Sequence, residues 1–158
     1  MKQDRFLLGI LIGIALLVVV AVGLFLSRRG VQDYGPEDTP QGVIRNYILA
    51  LEKGDYERAY GYLHAGDSKP SYEQFRSAFL SRQLDTSNTS VQIIGELHET
   101  SEDAIVNLVV IRGGTGPFAD AYRESTQALL EKDKQGDWKI VNLPYPYWGW
   151  DWYQPRPK

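Results

Sequence analysis

Hydrophobic positions follow different periods in different parts of this chain. Residues 6–26 read FLLGILIGIALLVVVAVGLFL, with no charged or strongly polar side chain. At about 1.5 Å per residue such a helix covers roughly 30 Å, the thickness of a bilayer's hydrocarbon core, so a transmembrane helix is expected over 6–26 after a short tail, 1–5. A cleaved signal peptide is the alternative, with Ala21-Val22-Gly23 as its small-residue site. The apolar run continues past that site to Leu26, however, and is longer than an h-region of about 7–15 residues, which favours a retained anchor. Gly9 and Gly13 form a GxxxG pair, a candidate for close helix packing in the membrane.

Residues 27–39 hold charges, glycine and proline without apolar periodicity and read as a tether. Helical spacing then sets in. Thr39 is placed to cap a helix opening at Pro40, where a missing N–H costs nothing; Val43, Ile44, Tyr47, Ile48 and Leu51 share one face, and Gly54 is placed to end it. Asp55 caps a shorter helix carrying Tyr56, Ala59, Tyr60 and Leu63. Ser71 and Gln74 form a capping-box pattern ahead of Tyr72, Phe75 and Phe79.

After Asn88 the period changes to two. Val91, Ile93, Gly95 and Leu97 predict one strand face, AIVNLVVIR over 104–112 a more buried strand, 123–132 a third, and 138–143 a fourth after the turn Gln135-Gly136-Asp137. Helices followed by hairpin-connected strands imply an α+β layer fold with an antiparallel sheet.

Charge and composition narrow the function classes. The chain has 158 residues and no cysteine, which excludes a disulfide framework, a thiolate nucleophile and a zinc–thiolate site. The formal net charge of −3 is uneven. Lys2, Arg5, Arg28 and Arg29 against Asp4 leave +3 over residues 1–29, and hence −6 over 30–158. Without a basic cluster beyond Arg29, a nucleic-acid partner is not expected. Basic residues flank both ends of the apolar run, so the positive-inside rule does not decide orientation by itself; the five-residue tail suits an N-in signal anchor with the domain outside the cytoplasm.

The phrases TPQGVIRNYILALEKGDYERAYGYL, SYEQFRSAFL and EKDKQGDWKIVNL, in that order, resemble the nuclear transport factor 2-like superfamily, and in particular small bacterial membrane-anchored members. The resemblance covers residues 39–143 and implies, over 40–143, a cone-shaped α+β roll of about three helices and a curved antiparallel sheet of about four strands. It brings no catalytic motif, so it bears on fold more than on function.

Enzymes of that superfamily place Asp, His and Tyr inside the cone. The acid–base candidates here are His64, His98, Asp120, Tyr122, Tyr47 and Tyr60, but they reproduce no such arrangement, so no catalytic, cofactor-binding or metal-binding residue is expected. GGTGPF at 113–118 lacks the Gly-Lys-Ser/Thr of a phosphate-binding loop. What stands out is the C-terminal stretch 144–158, PYPYWGWDWYQPRPK, where Tyr145, Tyr147, Trp148, Trp150, Trp152 and Tyr153 crowd together. Extended, it would set its three indoles on one face. These aromatics are the candidate partner-binding residues, either as a docking surface or as a ribbon folded over the chain's own domain. The expected function is a membrane-anchored, non-catalytic accessory or scaffolding subunit, in contact with the bilayer through 6–26 and with an integral-membrane protein partner. The alternative is a small-ligand-binding or proton-transfer domain using the cone cavity.

Overall fold

A computed structural model describes residues 5–28, 32–66, 68–114 and 120–153, the side chains of 5–7, 25–28, 96 and 97 aside. The chain divides into two compact units, Met1–Asp33 and Tyr34–Lys158. The first contains helix α1, Arg5–Arg28. Among the described residues no helix is long and apolar enough to cross a membrane. The transmembrane helix expected over 6–26 is corrected accordingly. The bilayer contact and the export of the C-terminal domain were expectations that rested on it.

The second unit opens with α2 (Pro40–Lys53), α3 (Tyr56–Gly61) and α4 (Tyr72–Leu80). Their ends follow local chemistry. Thr39 accepts from the Gly42 N–H with Pro40 in the first turn, Gly54 closes α2 at φ 71°, Asp55 accepts from the Arg58 N–H, and Ser71 and Gln74 complete a reciprocal capping box. Each side chain satisfies N–H groups that a helix start leaves without partners.

Strands β1 (Thr89–Glu99), β2 (Asp103–Arg112), β3 (Tyr122–Lys132) and β4 (Trp138–Asn142) form one antiparallel sheet in sequence order. β2 and β3 pair without interruption from Asp103↔Glu131 to Arg112↔Tyr122. In β1 the register shifts between Ile93 and Leu97. Val91 and Ile93 pack against the core as expected, exposed Gly95 lies in the irregularity, and beyond it Leu97 pairs with Val106. β4 is covered at its outer edge by residues 62–64, because the Ile140 N–H donates to the Tyr62 carbonyl and the His64 N–H to the Ile140 carbonyl.

The core lies between the helices and one face of the sheet. Ala104, Val106, Leu108 and Val110 of β2 are buried at every second position, with Ala128, Leu130, Trp138 and Ile140 from β3 and β4. Val43, Ile44, Tyr47 and Ala50 of α2 and Phe75 of α4 complete it from the helix side. The second unit is thus an α+β fold of three helices and four antiparallel strands.

Candidate functional site

The C-terminal aromatics do not form an extended ribbon. The Tyr147 N–H donates to the Pro144 carbonyl and the Trp152 N–H to the Gly149 carbonyl, so consecutive turns fold the segment onto its own domain. Tyr147, Trp148 and Trp152 are 1%, 4% and 7% exposed, and belong to the core rather than to any contact surface. That removes three of the six expected partner-binding side chains from a docking role and corrects the single indole face.

The burial has a specific architecture. Trp152 sits 5.3 Å from the Phe75 ring and 5.1 Å from Trp148, centroid to centroid, and Trp148 stacks on Tyr153 at 5.6 Å. Tyr147 is held at two points: its hydroxyl donates to the Thr89 carbonyl at 2.9 Å, and its carbonyl accepts from the buried Tyr47 hydroxyl at 2.7 Å. Burial, with the nearby Glu52 charge, pushes the Tyr147 hydroxyl up to about 12. Burial likewise raises Tyr47 and Tyr153, and the Tyr153 hydroxyl donates to the His64 carbonyl. Gly149 permits the packing, since a Cβ there would run into the Trp152 indole.

Two aromatics of the segment face outward. Trp150 is 80% exposed, and Tyr145 is exposed with the Arg112 guanidinium 5.6 Å from its ring and the Arg112 Nη2 donating to its carbonyl at 3.0 Å. Trp150 is thus an indole displayed between two buried ones. A side chain this large and apolar, held on a packed base, loses little freedom on contact with a partner.

The acid–base candidates are dispersed. Tyr47 is wholly buried in the core, Tyr122 and Asp120 are exposed, and the Tyr60 hydroxyl donates to the Pro70 carbonyl at 2.8 Å. His64 Nε2 lies 3.7 Å from a Glu131 carboxylate oxygen, and His98 is exposed on β1. The described cavities are lined by other residues; one is a groove of about 900 Å³ walled by Ile94, Asn107, Ser125, Gln127 and Asn142. Most of GGTGPF lies outside the described residues. In the first unit, Gly9 and Gly13 both sit on α1, where an added Cβ would meet open space; no neighbouring helix is described against them.

No family model and no curated protein matches this chain. Several solved structures are similar to it. A SEC-C motif containing protein from Rhodopseudomonas palustris shares 13% identity at TM-score 0.46, over 76% of this chain and 84% of that one. A ketosteroid isomerase-like protein from Erwinia carotovora atroseptica shares 16% at 0.42, over 64% and 87%. The helical cell shape determining protein from Campylobacter jejuni shares 14% at 0.43, over 63% of this chain and 37% of that one. At this level of likeness, none of them informs a reading of activity or partner.

A second constellation, also built on α2, escapes the sequence reading. Residues 34–37, expected to be part of a free tether, pack on α2 and α3. Asn46 is fully buried on the otherwise apolar face of α2 and pairs with both main-chain groups of Gly35, accepting from its N–H at 2.9 Å and donating to its carbonyl at 2.8 Å. Glu37 accepts from Arg58 and from the Tyr62 hydroxyl, each at 2.7 Å. Burial alone would raise the Glu37 carboxyl, but the Tyr62 and Arg58 hydrogen bonds, the Arg58 charge and Asn46 outweigh it and hold it below the usual range. The available signal was Asn46 itself, a lone amide among Val43, Ile44, Tyr47 and Ala50.

Proposed function

We propose that this chain is a non-catalytic interaction module, an accessory or scaffolding subunit that docks a protein partner through the turn carrying Trp150. The observation that supports this reading is the contrast within one short segment. Trp148 and Trp152 are spent on the core, while Trp150 between them stands 80% exposed. A lone exposed tryptophan on a rigid base has the character of an interface anchor, the residue type most enriched among energetically dominant contacts. The acidic balance of residues 30–158 favours a partner surface with basic groups around its pocket for the indole. Likeness to the small bacterial members of the nuclear transport factor 2-like superfamily is part of the same proposal.

The test is affinity purification of the full chain and its Trp150→Ala variant from native extracts, with quantitative mass spectrometry. A partner that co-purifies with the parent chain should fall at least tenfold with the variant, whose thermal unfolding is unchanged. Recovery of the same proteins in the same amounts with both chains overturns the proposal.

A further inference from the structure

The segment 34–37 is read by the domain group by group. One fully buried amide, Asn46, takes both main-chain groups of Gly35. The Glu37 carboxylate is held by Arg58 and Tyr62, and Asn46 Nδ2 also reaches it at 3.4 Å. The Tyr34 ring has the Arg58 guanidinium 3.6 Å and the Lys53 ammonium 4.6 Å from its centre, and its hydroxyl donates to Asp55 at 3.1 Å. The Pro36 carbonyl rests on Gly42, where a Cβ would collide with it.

Simple cover over a helix needs only apolar contact. A buried amide that pairs with both a main-chain N–H and a C=O recognises backbone rather than a side chain. Together with the cationic bracket for an aromatic ring and the donors for a carboxylate, it selects the order aromatic, glycine, proline, acid. Residues 34–37 supply that order as Tyr34, Gly35, Pro36 and Glu37. They also begin where the second compact unit begins, and reach α2 through Asp38 and Thr39 alone. Such a short connection is the kind of hinge at which identical elements exchange between copies.

We propose that α2 and α3 form a peptide-reading site that the chain fills in cis with residues 34–37, and that the same segment of a second copy of this chain is its partner in trans. The cis segment wins at low protein concentration because its effective concentration is high, and exchange joins two copies when the cis contact is weakened.

Two full-length variants separate segment from site. Tyr34→Ser with Glu37→Gln weakens the segment and leaves the site; Gly42→Ala keeps the segment and obstructs its seat. The first, labelled with ¹⁵N, is titrated with the unlabelled second while the Asn46 side-chain amide resonances are followed, a signal that association elsewhere on the chain does not move. We expect a saturable shift, also produced by a synthetic peptide of residues 32–39, and at least tenfold weaker when the parent chain is the titrant. Asn46 signals unmoved by both titrants, or moved equally by a scrambled peptide or by the parent chain, overturn the proposal. Should the double variant lose its amide dispersion, Glu37→Gln alone takes its place in the same titration.

Discussion

Replacing Trp152 and Trp150 separately by alanine separates the two roles within the C-terminal segment. Trp152 is 7% exposed and lies against Phe75, Phe79 and Trp148, so its removal opens a cavity in the middle of an aromatic cluster. Truncations of buried tryptophan to alanine cost about 3–5 kcal/mol, transfer and cavity terms together. Trp150 is 80% exposed, and loss of such a side chain changes stability by no more than about 0.5 kcal/mol. Urea unfolding followed by far-ultraviolet circular dichroism, which does not depend on the deleted fluorophore, reads both. With a denaturant slope of about 2 kcal/mol/M, Trp152→Ala lowers the midpoint by about 1.5–2.5 M and Trp150→Ala by less than about 0.3 M. Equal midpoints for the two variants, or a Trp152→Ala shift below about 0.5 M, would mean that the segment does not pack as part of the core. The whole assignment of Trp150 as an outward anchor on a buried base would then be withdrawn.

Other consequences are equally measurable. Gly149→Ala forces a Cβ into the Trp152 indole, and calorimetry should show a loss of about 1–3 kcal/mol, typical of overpacking. Tyr47→Phe deletes the buried hydroxyl that donates to the Tyr147 carbonyl and should cost about 1–3 kcal/mol in chemical denaturation, because the carbonyl keeps its desolvation without its partner. Burial raises the folded-state value of Tyr147 to about 12. Its contribution to stability is therefore complete below about pH 10, the ordinary tyrosine value, and is lost as pH rises toward the folded value. Tyr147→Phe should flatten the fall in melting temperature over that interval. Glu37 has the opposite sign: held below its usual range, it contributes above the unfolded value and loses that contribution as pH falls through the folded one. Glu37→Gln should diminish the acid-side drop in melting temperature, and an unchanged acid limb would refute the role given to its hydrogen bonds with Arg58 and Tyr62.

By itself the sequence determined what short-range chemistry determines. Thr39, Asp55 and Ser71 each hold a helix start with their own side chains, and Gly54 has the positive φ that stops α2. These interactions span three or four residues and are written in the sequence at that spacing. Alternation over 104–110 likewise fixes which face of β2 is buried, because successive side chains point to opposite sides of a strand. Tertiary structure decided everything that depends on partners distant along the chain. Six aromatics near the C-terminus look alike as a string, and only the turns at 144–147 and 149–152 send Tyr147, Trp148 and Trp152 inward while leaving Trp150 out. Residues 34–37 carry no apolar period and read as a tether, yet Asn46, Arg58 and Tyr62 hold them on the domain through polar contacts that no periodicity reports. Over residues 6–26 hydropathy alone suggested a membrane span, whereas among the described residues no helix meets the length and apolarity that crossing requires. Local hydrogen bonds leave a pattern in sequence because both partners are neighbours. Burial of a particular indole or amide is settled by surfaces that come together only when the chain folds.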